Sequence, residues 1–229
     1  MKSGKYRLAG YFTVSRFTTI AEKKMPRPIL KDLMLGLIYP AVLGTVMYGG
    51  LQATIEPILV ILTGGASTAH QDPHLYIKAA LLAVTITFYL ADYLYIVFTK
   101  TFGWLFFVFD VGFLITLYVT VSVIGLTVGS TRPPHYPTIL GCFFVFMVLY
   151  FVWDTIEWWR SFETKEREWY PRMLIWELAS MAGLWSAWYW GIPRKEAGLI
   201  IVLVLILITS AFWVLTLQKG RFIDVKQTN

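Results

Sequence analysis

Five stretches of the chain, roughly 77–99, 104–128, 138–160, 171–191 and 197–217, stay apolar for about 20 residues at a time. At a rise of about 1.5 Å per residue, that is the length a helix needs to cross the hydrocarbon of a bilayer. A sixth apolar stretch, 33–63, is too long for one straight crossing and is broken by Pro40, Gly49, Gly50 and Pro57. It reads either as one tilted, kinked helix or as a span followed by a short re-entrant piece, and a single crossing is the choice that keeps the loop charges consistent. Backbone in lipid must satisfy its own polar groups, so runs of this kind specify helices. The expected fold is an all-α polytopic transmembrane helical bundle of about six spans. Composition agrees: 57% of the 229 residues are hydrophobic and 15% charged, far too apolar for a water-soluble domain. The natural division is a basic segment 1–32, a transmembrane domain 33–217 and a tail 218–229.

Charge sets the orientation. With the N-terminus inside, the cytoplasmic side receives 16 of the 20 Lys and Arg, from Lys2 and Lys5 through Lys100, Arg160, Lys165, Arg167 and Arg172 to Lys219, Arg221 and Lys226. The opposite side receives Lys78, Arg132, Arg194 and Lys195, which is the asymmetry the positive-inside rule demands, with both termini cytoplasmic. Trp104, Trp158, Trp159, Trp169 and Trp213 then fall near the inner interface and Trp185, Trp188 and Trp190 near the outer one, as aromatic belts do. The net charge of +6 is therefore explained by topology and does not call for nucleic acid. Segment 1–32 carries eight Lys and Arg and lacks the short apolar core and small-residue site of a cleaved signal peptide, so the first span is expected to direct its own insertion. Tyr6 to Ile20 interleaves aromatic and basic residues, the pattern of either a helix lying on the inner leaflet or a solvated basic tail. A multi-pass protein of the plasma (inner) membrane is the expected setting.

Acids inside the spans carry the chemistry. Asp92, Asp110, Asp154 and Glu177 lie on four different spans, each about six residues from the inner end of its helix, hence at a common depth of roughly 9 Å. Glu157 follows Asp154 by three residues on the same helix face, about one turn nearer the cytoplasm. A charged acid in mid-membrane costs roughly 2.5–3.5 kcal/mol on insertion scales, so these groups are expected to face the bundle interior. The spans offer no Lys, Arg or His at the same depth, which leaves two solutions. Either some acids are protonated and hydrogen-bond to neighbours such as Tyr89, Tyr93 or Ser180, or together they bind a cation; hard oxygen ligands suit H⁺, Na⁺, Mg²⁺ or Ca²⁺, and the spacing does not choose a metal. The competing account makes each acid a neutral strut between helices, with Lys100, Arg160 and Arg172 reaching up to any that stays ionised.

The segments around Asp92 (Phe88-Tyr89-Leu90-Ala91-Asp92) and Asp154 (Tyr150-Phe151-Val152-Trp153-Asp154) are alike, and the helix after each carries one further acid, Asp110 and Glu177. This is the pattern of a duplicated helical hairpin. Other motifs weigh less. Thr45-Val46-Met47-Tyr48-Gly49 has Met where a potassium filter needs Gly. His70 and His74 flank Asp72, but Pro73 opposes the helix that would bring them to one metal. Cys142 is alone in an apolar run and reads as an inert packed thiol. No nucleophile elbow, metal-binding His pair or phosphate loop is visible, so neither an enzyme nor a cofactor is expected. The leading expectation is a small cation or proton channel or transporter, working as a homo-oligomer in the lipid bilayer, with Asp92, Asp110, Asp154, Glu177 and Glu157 as its cation-binding or proton-binding acids. The alternatives are a non-catalytic sensor or scaffold that holds a soluble cytoplasmic partner through the basic N-terminal segment and the 161–171 loop, and, third, a membrane-embedded lipid-modifying enzyme.

Overall fold

The computed structural model describes residues 27–50, 52, 54, 58–59, 62–63, 73–98, 103–124, 132–160, 169–192 and 196–224. The interfacial segment expected at 6–20, His70, Asp72 and nearly all of the 161–171 loop lie outside these residues. Within them the protein is helical, with no strand.

The first membrane helix is assembled from α1 (Arg27–Leu33), a wide π-turn (Met34–Ile38) and α2 (Tyr39–Gly50). The π-turn sits just before Pro40, whose ring would collide with the Gly36 carbonyl in a regular helix. Tyr39 instead donates its backbone N–H to Met34 O, five residues back, and the extra residue swings the Tyr39 side chain into the protein, where it is buried. Thr45 to Gly49 is part of α2, with Thr45 Oγ1 donating to Ala41 O at 2.8 Å, so these carbonyls belong to a helix and not to an ion filter.

The remaining elements are α3 (Leu75–Phe98), α4 (Trp104–Ile124), α5 (Tyr136–Arg160), α6 (Tyr170–Ser186) continuing through a second π-turn (Ala187–Gly191), and α7 (Ala197–Asp224). Among the described residues five helices are long and apolar enough to cross a membrane: Ile29–Gly50, Leu75–Phe98, Trp104–Ile124, Tyr136–Arg160 and Ala197–Gly220. Apolar helices of this length make an integral membrane protein. α6, with Pro171 in its first turn, is the sixth long helix and the least apolar, because it carries Arg172, Glu177 and Ser180.

Helices α3, α4, α5, α6 and α7 form a closed ring in which each packs on the next and α7 returns to α3, while α1 and α2 lie outside it against α3 and α4. The middle of the ring is filled with aromatic side chains. Phe88 touches Phe143, Phe146, Tyr150 and Phe212; Phe113 stacks on Tyr150 at 4.6 Å; Trp176 stacks on Phe212 at 4.8 Å. Large apolar groups such as Ile115, Tyr118, Trp159 and Leu207 point outward instead, the surface that lipid accepts and water does not. At the end of the ring that carries Lys31, Arg160, Arg172 and Lys219, here termed the basic end, Lys31 Nζ donates to Val97 O at 3.0 Å and so caps the C-terminus of α3.

α3 and α7 approach closely where Gly220 faces the Phe98 ring, and a Cβ at 220 would stand 2.9 Å from that ring. Gly220→Val is therefore expected to push the two helices apart and lower stability by about 1–3 kcal/mol, read as an earlier thermal unfolding in detergent micelles. An unchanged melting temperature would mean that Phe98 can turn aside at no cost.

Candidate functional site

All five acids singled out in the sequence are buried: Asp110, Asp154 and Glu177 at 0% exposure, Asp92 at 1% and Glu157 at 5%. Helical periodicity explains why. Each lies on the inward stripe of its helix, Asp92 one turn after Phe88 and Asp154 one turn after Tyr150, and the ring of helices turns those stripes toward the aromatic centre.

The acids do not meet as one four-carboxylate layer. They form two groups. In the first, Asp92 accepts hydrogen bonds from the hydroxyls of Tyr39, delivered by the π-turn, and Tyr150, reaching across from α5. Asp110 on α4 lies within electrostatic range of Asp92, and neither of its oxygens has a donor. In the second, Asp154 Oδ1 accepts from Tyr95 at 2.5 Å, and the Glu177 carboxyl faces Asp154 at hydrogen-bonding range. Asp154 Oδ2 and both Glu177 oxygens have no donor. Two carboxylates facing one another hold acceptors only, so this contact becomes a hydrogen bond when one of them carries a proton. The two groups are cross-linked: Tyr95 of α3 serves the acid of α5, and Tyr150 of α5 serves the acid of α3, with the rings of Tyr95 and Tyr150 edge to face at 6.1 Å.

Glu157 stands nearer the basic end, with Arg160 at 4.0 Å and the Tyr170 hydroxyl at 3.4 Å. Arg160 is partly exposed, so Glu157 joins the buried acids to the protein surface.

The sequence puts Lys219 among the basic residues of the cytoplasmic side and no cation at the depth of the acids; the structure brings this one beside them. α7 runs on to Asp224, and Lys219 is an inward-facing residue of its last turns, 6% exposed, with Nζ 3.6 Å from the centre of the Tyr95 ring and 5.8 Å from that of Tyr170. Its charge acts on Asp154. An internal cation is thus present beside the second group.

The hydroxyl partners also differ from those expected. Tyr89 donates to Phe113 O at 2.8 Å and Tyr93 packs its ring against Tyr39, whereas Tyr39, Tyr95 and Tyr150 supply the acids. Spacing held the clue for two of them: Tyr95 follows Asp92 by three residues and Tyr150 precedes Asp154 by four, so each shares a helix face with an acid. His74 lies in the turn before α3 and His135 bonds to Thr138, both distant in the chain from the acids.

Among the described residues no three His, Cys, Asp or Glu side chains are arranged to hold a metal ion. A pair of carboxyls supplies at most four of the six or more oxygens that Ca²⁺ and Mg²⁺ take, so either ion would have to draw the rest from water or backbone. A proton needs only the pair. Comparison with protein-family models, with curated proteins and with solved structures finds no match to this chain.

The tyrosine bonds have a measurable weight. Tyr39→Phe or Tyr150→Phe leaves one buried Asp92 oxygen without its donor, and each is expected to destabilise the protein by about 1–3 kcal/mol. Denaturation in mixed micelles measures this, and Tyr89→Phe, which frees only a backbone carbonyl, should cost less.

Proposed function

We propose that this protein is a proton-coupled transporter, in which protons occupy the facing carboxyls Asp154 and Glu177 and the neighbouring acids Asp92 and Asp110. The reading takes the chain as six spans with both termini and the basic end in the cytoplasm of a plasma-type membrane, and as a homo-oligomer. One observation carries it: five buried carboxylate oxygens, on Asp110, Asp154 and Glu177, have no donor in a region where each such atom costs several kcal/mol. A protein that kept these acids only as struts would have given them partners, as it did for Asp92. Tyrosine hydroxyls both donate and accept, so Tyr95 and Tyr150 can each exchange a proton with the acid they touch, and passage from one group to the other requires the helices to rearrange.

The aromatic filling of the ring argues against a permanently open pore. Phe88, Phe143 and Phe146 occupy the middle of the bundle beyond the acids, away from the basic end. Release on the far side therefore requires the helices to rearrange, which is the behaviour of a transporter. The same plug also suits a second reading, a membrane sensor in which proton occupancy changes the hold on a soluble cytoplasmic partner without any net flux.

Purified protein in liposomes, given imposed gradients of H⁺, Na⁺, K⁺, Mg²⁺ and Ca²⁺ in turn, decides between them. Proton flux in the wild type that falls to background in the Asp92→Asn, Asp154→Asn double variant supports transport. Background flux in both proteins under every gradient and potential removes it and leaves the sensor.

A further inference from the structure

We propose that Lys219 is a resident counter-charge that makes the Asp154–Glu177 pair selective for protons over metal cations. The inference rests on the proton reading above and deepens it by assigning selectivity to one side chain.

The geometry is specific. Lys219 is buried at the basic end of α7, with its ammonium against the face of the Tyr95 ring at 3.6 Å, and the hydroxyl of that same ring donates to Asp154 at 2.5 Å. Charged and titratable groups surround it from each neighbouring helix: Tyr95 from α3, Asp154 and Glu157 from α5, Tyr170 and Glu177 from α6. Glu157 and the partly exposed Arg160 add one charge of each sign, so they leave the balance of the inner cluster unchanged. Two ionised carboxyls and one ammonium sum to a single negative charge. One proton neutralises that cluster.

A metal cation entering from the basic end would have to pass an ammonium already seated beside the acids. Two like charges about 4 Å apart at a protein's effective dielectric repel strongly enough to exclude a hydrated monovalent ion. A proton escapes the penalty, because it travels along hydroxyl and carboxyl oxygens and never requires a free site of ionic size. Removing the ammonium alters the count: neutrality of the pair then needs two protons, or one proton and one metal cation.

The test compares Lys219→Gln, Lys219→Arg and the charge-balanced double variant Lys219→Gln, Asp154→Asn with the wild type. Infrared spectroscopy of the full-length protein in lipid, without any gradient, counts protonated carboxyls through the acid C=O band, assigned to the pair by its loss in Asp154→Asn and Glu177→Gln. The wild type and Lys219→Arg are expected to show one protonated carboxyl from the pair, and Lys219→Gln about twice that band in metal-free buffer, reversed by Na⁺ or K⁺. In liposomes, Lys219→Gln should lower the discrimination of protons against Na⁺ and K⁺ by roughly tenfold or more, and Lys219→Arg should preserve it.

A Lys219→Gln protein with the wild-type band and no response to Na⁺ or K⁺ overturns the proposal. If Lys219→Gln fails to fold while the double variant folds, the requirement for a balancing charge is shown directly; if both fail alike, Lys219 acts by packing and the proposal is wrong. The infrared arm also separates the two levels of inference. A wild type that passes no protons sinks the transport reading, yet the band still reports whether Lys219 sets the proton count of the pair.

Discussion

Liposomes containing Asp154→Asn or Glu177→Gln are expected to pass protons on the order of 100-fold more slowly than the wild type under the same gradient. Asp154 is the point where the connections converge: Tyr95 bonds to it from α3, Glu177 faces it from α6, and the charge of Lys219 acts on it from α7. Asparagine keeps the size of the side chain and still accepts from Tyr95, but it cannot take up and release a proton. The loss would therefore be one of chemistry with the packing intact, and an unchanged melting temperature is the control. Tyr95→Phe should give a smaller loss, since it removes a link and leaves both acids in place. The order of effects matters more than any single value. If Asp154→Asn keeps the wild-type rate while Tyr95→Phe abolishes it, the pair is not where the proton resides.

The helices and the acids could be read from the sequence because both leave one-dimensional marks. About 20 apolar residues in a row have few outcomes other than a membrane helix, and an acid inside such a run is conspicuous. The common depth of Asp92, Asp110, Asp154 and Glu177 followed from counting residues, and all four are buried. Counting gives height along a helix, not position around the ring, so it does not separate the Asp92 group from the Asp154 group. Glu177 on α6 faces Asp154 on α5, and Asp110 on α4 lies within electrostatic range of Asp92 on α3, so each group lies on two helices consecutive in the chain.

Two other features lay beyond pattern reading. Tyr39 reaches Asp92 because a π-turn ahead of Pro40 adds a residue to the helix, and a fixed 3.6-residue period applied to 33–50 misplaces the side chain's direction. Lys219 looked like an ordinary positive-inside residue after the last apolar run. Its burial depends on α7 continuing to Asp224 and on Gly220 letting that helix lie against Phe98, and neither is visible in a hydropathy profile.

The same substitution at two neighbouring acids should change stability in opposite directions. Asp92→Val is expected to destabilise the protein by about 1–3 kcal/mol for each hydroxyl it orphans, since Tyr39 and Tyr150 both donate to this carboxylate and are otherwise buried. Asp110→Val removes a carboxyl with no donor on either oxygen, so nothing is orphaned and a desolvation cost disappears. Apolar replacement of a buried charged group is commonly neutral or stabilising by about 1–4 kcal/mol, and Asp110→Val should fall in that range. Glu177→Met, similar in volume, also removes two oxygens without donors but takes from Asp154 the carboxyl it faces, so its gain should be smaller. Unfolding in mixed micelles measures all three. A strut and a functional group make contrary demands here: a strut earns its place through the bonds it makes, so its loss weakens the fold, whereas a group held for proton binding is retained despite its cost to stability. Destabilisation by Asp110→Val and Glu177→Met as large as that by Asp92→Val would mark all the acids as struts. Gains at 110 and 177 combined with loss of proton flux would mark those carboxyls as kept for what they do.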